Sequence, residues 1–127
     1  MSQEFNIEII SPNKSIYRGK TEEAVLPCFE GQVTILKDHI SFITFLRPGF
    51  IEIGKDEKFF VEDGIVEFKN NSLSILTSVI FSLDSIKSDY VNKTIQKSEK
   101  ELSENDINDQ KKYLLLQKIE VLKSLSL

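Results

Sequence analysis

Few residues in this chain have types and spacing that could do chemistry. Arg18-Gly19-Lys20-Thr21 ends like a phosphate-cradling loop. That mechanism needs a glycine five residues before the Gly-Lys pair, so that backbone N–H groups wrap the phosphate oxygens. Lys14 stands there instead, and the segment lies between short strand-like runs with no helix following. An ordinary strand-edge turn is the better reading. His39 is the single histidine and Cys28 the single cysteine. Together they supply too few partners for a nucleophile–base pair or a metal site. His39 therefore reads as a corner residue bonded to nearby backbone, or as a contact to a neighbouring subunit. Cys28 reads as a small, semi-buried hydrophobe. The carboxylates Glu22-Glu23, Glu62-Asp63 and Asp106/Asp109 are scattered, as solvated turns and caps are, and do not form a paired acid–base site.

Composition narrows the class. The chain has 127 residues, 40% hydrophobic and 28% charged, with a net charge of -4. That length holds one domain, or one small domain with an appendage. An acidic balance argues against general nucleic-acid binding, which rests on Lys and Arg neutralising phosphates. No apolar run is long enough to span a membrane, and Met1 to Asn6 lack the layout of a secretory signal. One cysteine gives no internal disulfide, as in a reducing compartment. These features predict a cytoplasmic protein, without excluding one that rides on a membrane complex.

The elements that must position these residues change character near residue 84. Before it the sequence reads as strands. Phe5, Ile7 and Ile9 alternate with Asn6 and Glu8, the pattern of a half-buried strand. Further strand runs are Ala24–Leu26, Val33–Leu36, Phe50–Ile53, Phe59–Val61, Val66–Phe68, Leu73–Leu76 and Val79–Phe81. Turn signals separate them. Pro48-Gly49 suits a turn in which glycine takes positive φ. Gly54-Lys55-Asp56-Glu57 suits a hairpin loop, and Asn70-Asn71 a tight turn. Lys37-Asp38-His39 forms a polar corner. The prediction is a sandwich or flattened barrel of about ten strands over residues 1–83.

Glycine and proline are absent from residue 84 onward. Asp84 or Ser85 is the expected cap of a first helix carrying Ile86, Tyr90, Val91, Ile95 and Leu102 on one face. Asn105 or Asp106 is the expected cap of a second, starting near Ile107. There Leu115, Ile119 and Leu122 make one apolar row and Leu114, Val121 and Leu125 a neighbouring one. The fold class is α+β: a β-sandwich followed by an antiparallel helical hairpin over residues 84–127. So short a hairpin buries too little surface to fold alone. It must lean on the sandwich or on a partner, and two docking sites of similar energy would make it a switch.

The order and spacing of these motifs resemble the ε subunit of bacterial F-type ATP synthase. Glu30-Gly31, Ile35-Leu36, His39 and Pro48-Gly49 match that family's signature region. Ile9-Ile10-Ser11-Pro12 with Tyr17-Arg18-Gly19 matches its opening strand pair, and Phe60 to Phe68 its later Gly-centred strand. Departures are Thr34 for the second Gly, Lys37-Asp38 for Pro-Gly, and Ile40-Ser41 for Ala-Pro. The resemblance covers essentially the whole chain.

It implies a non-catalytic rotor subunit of a proton-translocating rotary ATP synthase, peripheral on the cytoplasmic face of the inner membrane, with no cofactor or metal. The sandwich would bind the γ subunit and sit on the c-ring, through loops at Glu30, Gly31, Gln32, His39 and Ile40. The hairpin would fold down on the sandwich or extend along the shaft and meet the α/β subunits transiently. Its basic residues Lys111, Lys112, Lys118 and Lys123 would then approach an acidic loop of β and hinder ATP hydrolysis. Some relatives bind ATP through Ile/Leu-Asp-x-x-Arg-Ala. Here the aligned residues include Ile86, Lys87, Tyr90 and Val91; only Ile86 survives, which predicts weak or absent ATP binding. Two other readings are an ATP-sensing module of the same fold and an unrelated β-sandwich adaptor.

Overall fold

The computed structural model describes residues 3–104 and 106–125. Ten strands come first: β1 Phe5–Ser11, β2 Lys14–Thr21, β3 Glu23–Cys28, β4 Gly31–Leu36, β5 Phe42–Leu46, β6 Gly49–Ile53, β7 Glu57–Val61, β8 Gly64–Lys69, β9 Ser72–Leu76 and β10 Ile80–Ser82. Two helices follow, α1 Ser88–Leu102 and α2 Asp109–Lys123.

The strands form one sheet in the order β10-β7-β6-β3-β5-β8-β9-β1-β2, with β4 paired to β3. The sheet curls on itself, because β3 serves both halves. Its first half pairs with β6 (Ala24 with Ile53, Val25 with Glu52), and its end reaches β5 (Cys28 with Leu46). The curl brings Tyr17 of β2 against Phe59 of β7, ring centroids 6.0 Å apart, although these strands are not paired. β1 runs parallel to β9, Ile7 beside Leu73 and Ile9 beside Ile75. All other pairs are antiparallel.

Alternation selects the core. Phe5, Ile7 and Ile9, Val66 and Phe68, and Leu73 and Ile75 point inward and are buried. Burying each such side chain stabilises the fold by about 1.5–3 kcal/mol. Thr21 and Lys20, from the phosphate-loop lookalike, lie in β2, with no helix after them.

The turns divide into those that use positive φ and those that do not. Asn70 and Asn71 take φ of 52° and 57°, the left-handed pair of a two-residue hairpin, and Gly54 takes 59°. Gly49 does not need positive φ. It is glycine because a Cβ there would lie 2.5 Å from Pro27 Cβ. The Pro48-Gly49 expectation is corrected accordingly: close approach of two strands, not dihedral freedom, selects the residue.

Both helix starts lie later than expected. Ser85 and Ile86 donate their backbone N–H groups to Ser82 O in a turn, and the first helix begins at Ser88 after Lys87, which makes no side-chain cap. The chain must turn off β10 and seat Ile86 before it can wind. The second helix is capped by Asn108, whose side chain accepts from Lys111 N–H at 2.7 Å. Asp106 lies in the preceding turn, and Asn105 lies outside the described residues.

Candidate functional site

The outer face of the sheet carries two apolar rows fixed by strand register. On β6, β7 and β10, Phe50 stands opposite Phe60, and Phe60 opposite Phe81. The helical hairpin covers this row. Val91 of α1 and Leu122 of α2 are buried against Phe60, with Ile86, Tyr90, Ile95, Val121 and Leu125 packed around them. Tyr90 lies on Phe81, ring centroids 4.6 Å apart. Burial raises the Tyr90 phenol pKa, and the Glu62 carboxylate adds to that rise. Polar clasps flank the seat. Lys118 Nζ lies 3.3 Å from Glu62 Oε1 with both side chains mostly buried, and Arg47 donates to the Tyr113 hydroxyl at 2.7 Å. Lys111 pairs with Glu101 of α1 at 3.7 Å.

The second row lies on β5, β8 and β9. Phe45 stands opposite Ile65, and Ile65 opposite Leu76. Nothing among the described residues covers it: Phe45 is 56% exposed, Ile65 45% and Leu76 50%, with Ile43 nearby at 69%. Ile10 of β1 extends the row beyond Leu76. Two residues along, the next outward line is polar, with Glu67, Ser74, Glu8 and Arg18 in register. β5, β8 and β9 therefore carry apolar residues on both faces, one packed in the core and one exposed.

Of the loop residues predicted to bind a partner, Glu30 and His39 lie before and after β4, and both touch β5. The Thr44 hydroxyl donates to the Glu30 carboxylate, which lowers the Glu30 pKa. His39 stacks edge-on against Phe42 of β5 and Phe68 of β8, and its Nδ1 lies 2.8 Å from Ile40 O. Gly31, at φ 130°, lets the chain turn into β4, where Gln32 is exposed. Ile40 stands out at 78% exposure. The corner is held by Asp38 and Asn71, which exchange two hydrogen bonds: Asp38 N–H to Asn71 Oδ1, and Asn71 Nδ2–H to Asp38 Oδ1.

The four lysines of α2 are not equivalent. Lys111 and Lys118 are held in the ion pairs above, whereas Lys112 and Lys123 are exposed. The positions aligned with the nucleotide motif are used for packing. Val91 is buried, Ile86 and Tyr90 lie in the same cluster, and Lys87 is the residue before α1.

Residues 4–82 match the family described as ATP synthase, Delta/Epsilon chain, beta-sandwich domain. The chain is also 50% identical to the ATP synthase epsilon chain of Pelagibacter ubique, over 99% of this chain and 100% of that one. The chain belongs to the ATP synthase epsilon chain family. The epsilon chain of Leptospira borgpetersenii is 37% identical over 92% of this chain and 91% of its own length. The epsilon fold is matched in a cryo-EM structure of the Euglena gracilis mitochondrial ATP synthase OSCP/F1/c-ring, with TM-score 0.78 and 13% identity, covering 100% of this chain and 84% of that one. It is matched as well in the Tetrahymena thermophila mitochondrial ATP synthase central stalk and c-ring, with TM-score 0.68 and 15% identity, covering 96% of each. Epsilon chains are non-catalytic subunits, so this chain is part of the ATP synthase machine and not a catalyst itself. The family match displaces the reading of an unrelated adaptor. No helix among the described residues is long and apolar enough to cross a membrane.

Sequence reasoning about this epsilon-family chain called for an exposed apolar patch on the sandwich without choosing its residues, and it missed the clasp residues Glu62, Arg47 and Tyr113. A signal for the row was present. Phe42-Ile43-Thr44-Phe45-Leu46 is apolar at consecutive positions, which a strand with one wet face does not need. No local signal marks Glu62, since its partner Lys118 is far along the chain.

Proposed function

We propose that this chain is the rotor subunit that joins the γ shaft to the c-ring, with residues 1–83 as the gripping part and residues 84–127 as a regulatory hairpin. The observation that carries the reading is the exposed row Phe45–Ile65–Leu76, on the outside of a sheet whose core is already complete. A torque-bearing interface needs an apolar centre with a polar rim. Here the row supplies the centre, and Glu67, Ser74 and the Glu8–Arg18 pair supply the rim. This is the γ face. The Glu30–Gln32 and His39–Ile40 loops, at the margins of β5, are the c-ring side. The protein sits on the cytoplasmic face of the membrane through those partners.

The docked hairpin is the non-inhibitory position in this reading. Lys118 holds it there through Glu62, Lys111 ties α2 to α1 through Glu101, and Lys112 and Lys123 remain available to an acidic loop of the β subunit once it extends. Ile86, Tyr90 and Val91 are occupied by packing, which supports a hairpin held by apolar contacts and ion pairs instead of by bound ATP.

Two measurements test this. Phe45→Asp and Ile65→Asp are expected to abolish co-purification of γ while leaving the circular dichroism spectrum unchanged; retained γ would refute the assignment of the face. Deleting the residues after Leu83 is expected to raise ATPase activity in the assembled complex. Unchanged activity would count against the regulatory role.

A further inference from the structure

Between the exposed row and α2 lies a groove of about 750 Å³. Its sheet wall is Phe45, Ile65 and Leu76, and its helix wall is Leu114 with Lys111 and Lys118. It therefore exists only while the hairpin is docked. We infer that this groove receives a single amphipathic helix of the shaft partner, which touches the sheet and α2 together. The inference rests on the γ-binding reading above and adds to it a contact with the hairpin.

The secondary structure of the occupant follows from the sheet. Where it lines the groove, β5 is bonded to β3 through Cys28–Leu46 and Phe29 N–H to Phe45 O, and along its length to β8; β8 is bonded to β5 and β9, and β9 to β8 and β1. No open edge faces the groove, so a partner cannot bind by adding a strand. It must bring a backbone whose hydrogen bonds are already made, which means a helix reading the groove with side chains alone. The charge on the occupant follows from the rim. Lys118 is paired with Glu62, and Lys111 with Glu101. Asp63 lines the groove and makes no ion pair among the described residues. A helix with one apolar edge and a Lys or Arg placed for Asp63 completes the site.

A consequence follows from reciprocity. A helix that needs both walls binds better when α2 is docked, and its binding in turn holds α2 docked. The shaft partner would thus be what keeps the hairpin down.

The test uses the full chain in the assembled complex. A photoreactive phenylalanine analogue replaces Ile65 in one preparation and Leu114 in another, and crosslinked peptides are mapped by mass spectrometry. Both positions are expected to capture the same helix of γ. Capture of γ from position 65 but of no partner, or a different partner, from position 114 overturns the two-walled groove and leaves the γ reading standing. Failure at both positions overturns both. A binding titration gives the second readout. Leu114→Asp is expected to weaken γ binding by about tenfold or more. Leu116→Asp, exposed on the same helix outside the groove, should stay within about twofold. Equal effects from the two variants, with helix content preserved, also refute the groove.

Discussion

The outer face of the sheet holds two apolar rows built alike. Phe50, Phe60 and Phe81 lie across β6, β7 and β10, and α1 and α2 cover them. Phe45, Ile65 and Leu76 lie across β5, β8 and β9, and none of the described residues reaches over them. Each row is three side chains brought into line by strand pairing. The difference is where the covering surface comes from. One row is satisfied within the molecule, and the other is left for a partner in the reading proposed above. The comparison also separates two kinds of stability. The inner core holds the strands, while the covered row holds only the hairpin, whose first helix buries Val91 and Ser98 alone.

The largest effect should come from breaking the covered row. Phe60→Ala leaves a cavity costing about 3–5 kcal/mol, which falls on docking and not on the sheet. Hydrogen exchange should show α1 and α2 losing protection while β1, β8 and β9 keep theirs. Uniform loss across the sheet would merge the two regions into one cooperative unit.

Cys28 sharpens the same contrast. It is fully buried in the inner core, and its thiol pKa is pushed up to about 11, chiefly by burial, with a further rise from the Glu30 carboxylate. In Phe60→Ala it should still resist alkylation at pH 8, because the sandwich stays closed. The sign of its pH effect follows from the raised value. The folded state's advantage is intact below the ordinary pKa of 9.0 and is lost as pH rises from there to about 11. Alkaline denaturation followed across that window checks it.

Smaller again is the clasp. Lys118 and Glu62 are partly exposed, so a double-mutant cycle with Lys118→Ala and Glu62→Ala should give a coupling of about 1 kcal/mol, reduced by added salt. The uncovered row should matter least to the isolated chain. Phe45→Asp and Ile65→Asp should each shift its stability by about 0.5 kcal/mol or less, even though they are expected to abolish γ binding. At the margin of that row, Thr44→Val should let the Glu30 pKa rise toward the ordinary carboxylate range. In the wild-type fold the depressed pKa means that the Thr44–Glu30 bond contributes above the ordinary carboxylate pKa and fades as pH falls through the lower folded value. An NMR titration of Glu30 reads both.

Much of the fold was legible because local rules agree with it. Alternation marked Phe5, Ile7 and Ile9, and asparagines marked the turn at 70–71. Leu115, Ile119 and Leu122 appear as the buried side of α2, with Leu114 and Val121 half-buried beside them and Leu125 half-buried in the turn that follows. What was not legible depends on distance along the chain. Phe59, Phe60 and Val61 are consecutive and all buried, since one face of β7 meets the core and the other meets the helices. A sequence shows the run but not its two destinations. The Lys118–Glu62 pair and the parallel pairing of β1 with β9 are likewise long-range. Glycine at 49 was legible as punctuation, but its reason, the Pro27 ring, was not.

The pairing of β1 with β9 also sets a timetable. Asn6 finds Ser72, and Ile10 finds Leu76, only after nearly all the strands have been synthesised. Until then the nascent β1–β2 hairpin is alone on one edge, and an isolated two-stranded ribbon is marginal in water. The order in which ribosomes deliver this polypeptide is therefore not the order in which it closes. Chains arrested before Ser72 should remain protease-sensitive throughout, and resistance should arrive abruptly once β9 has cleared the exit tunnel.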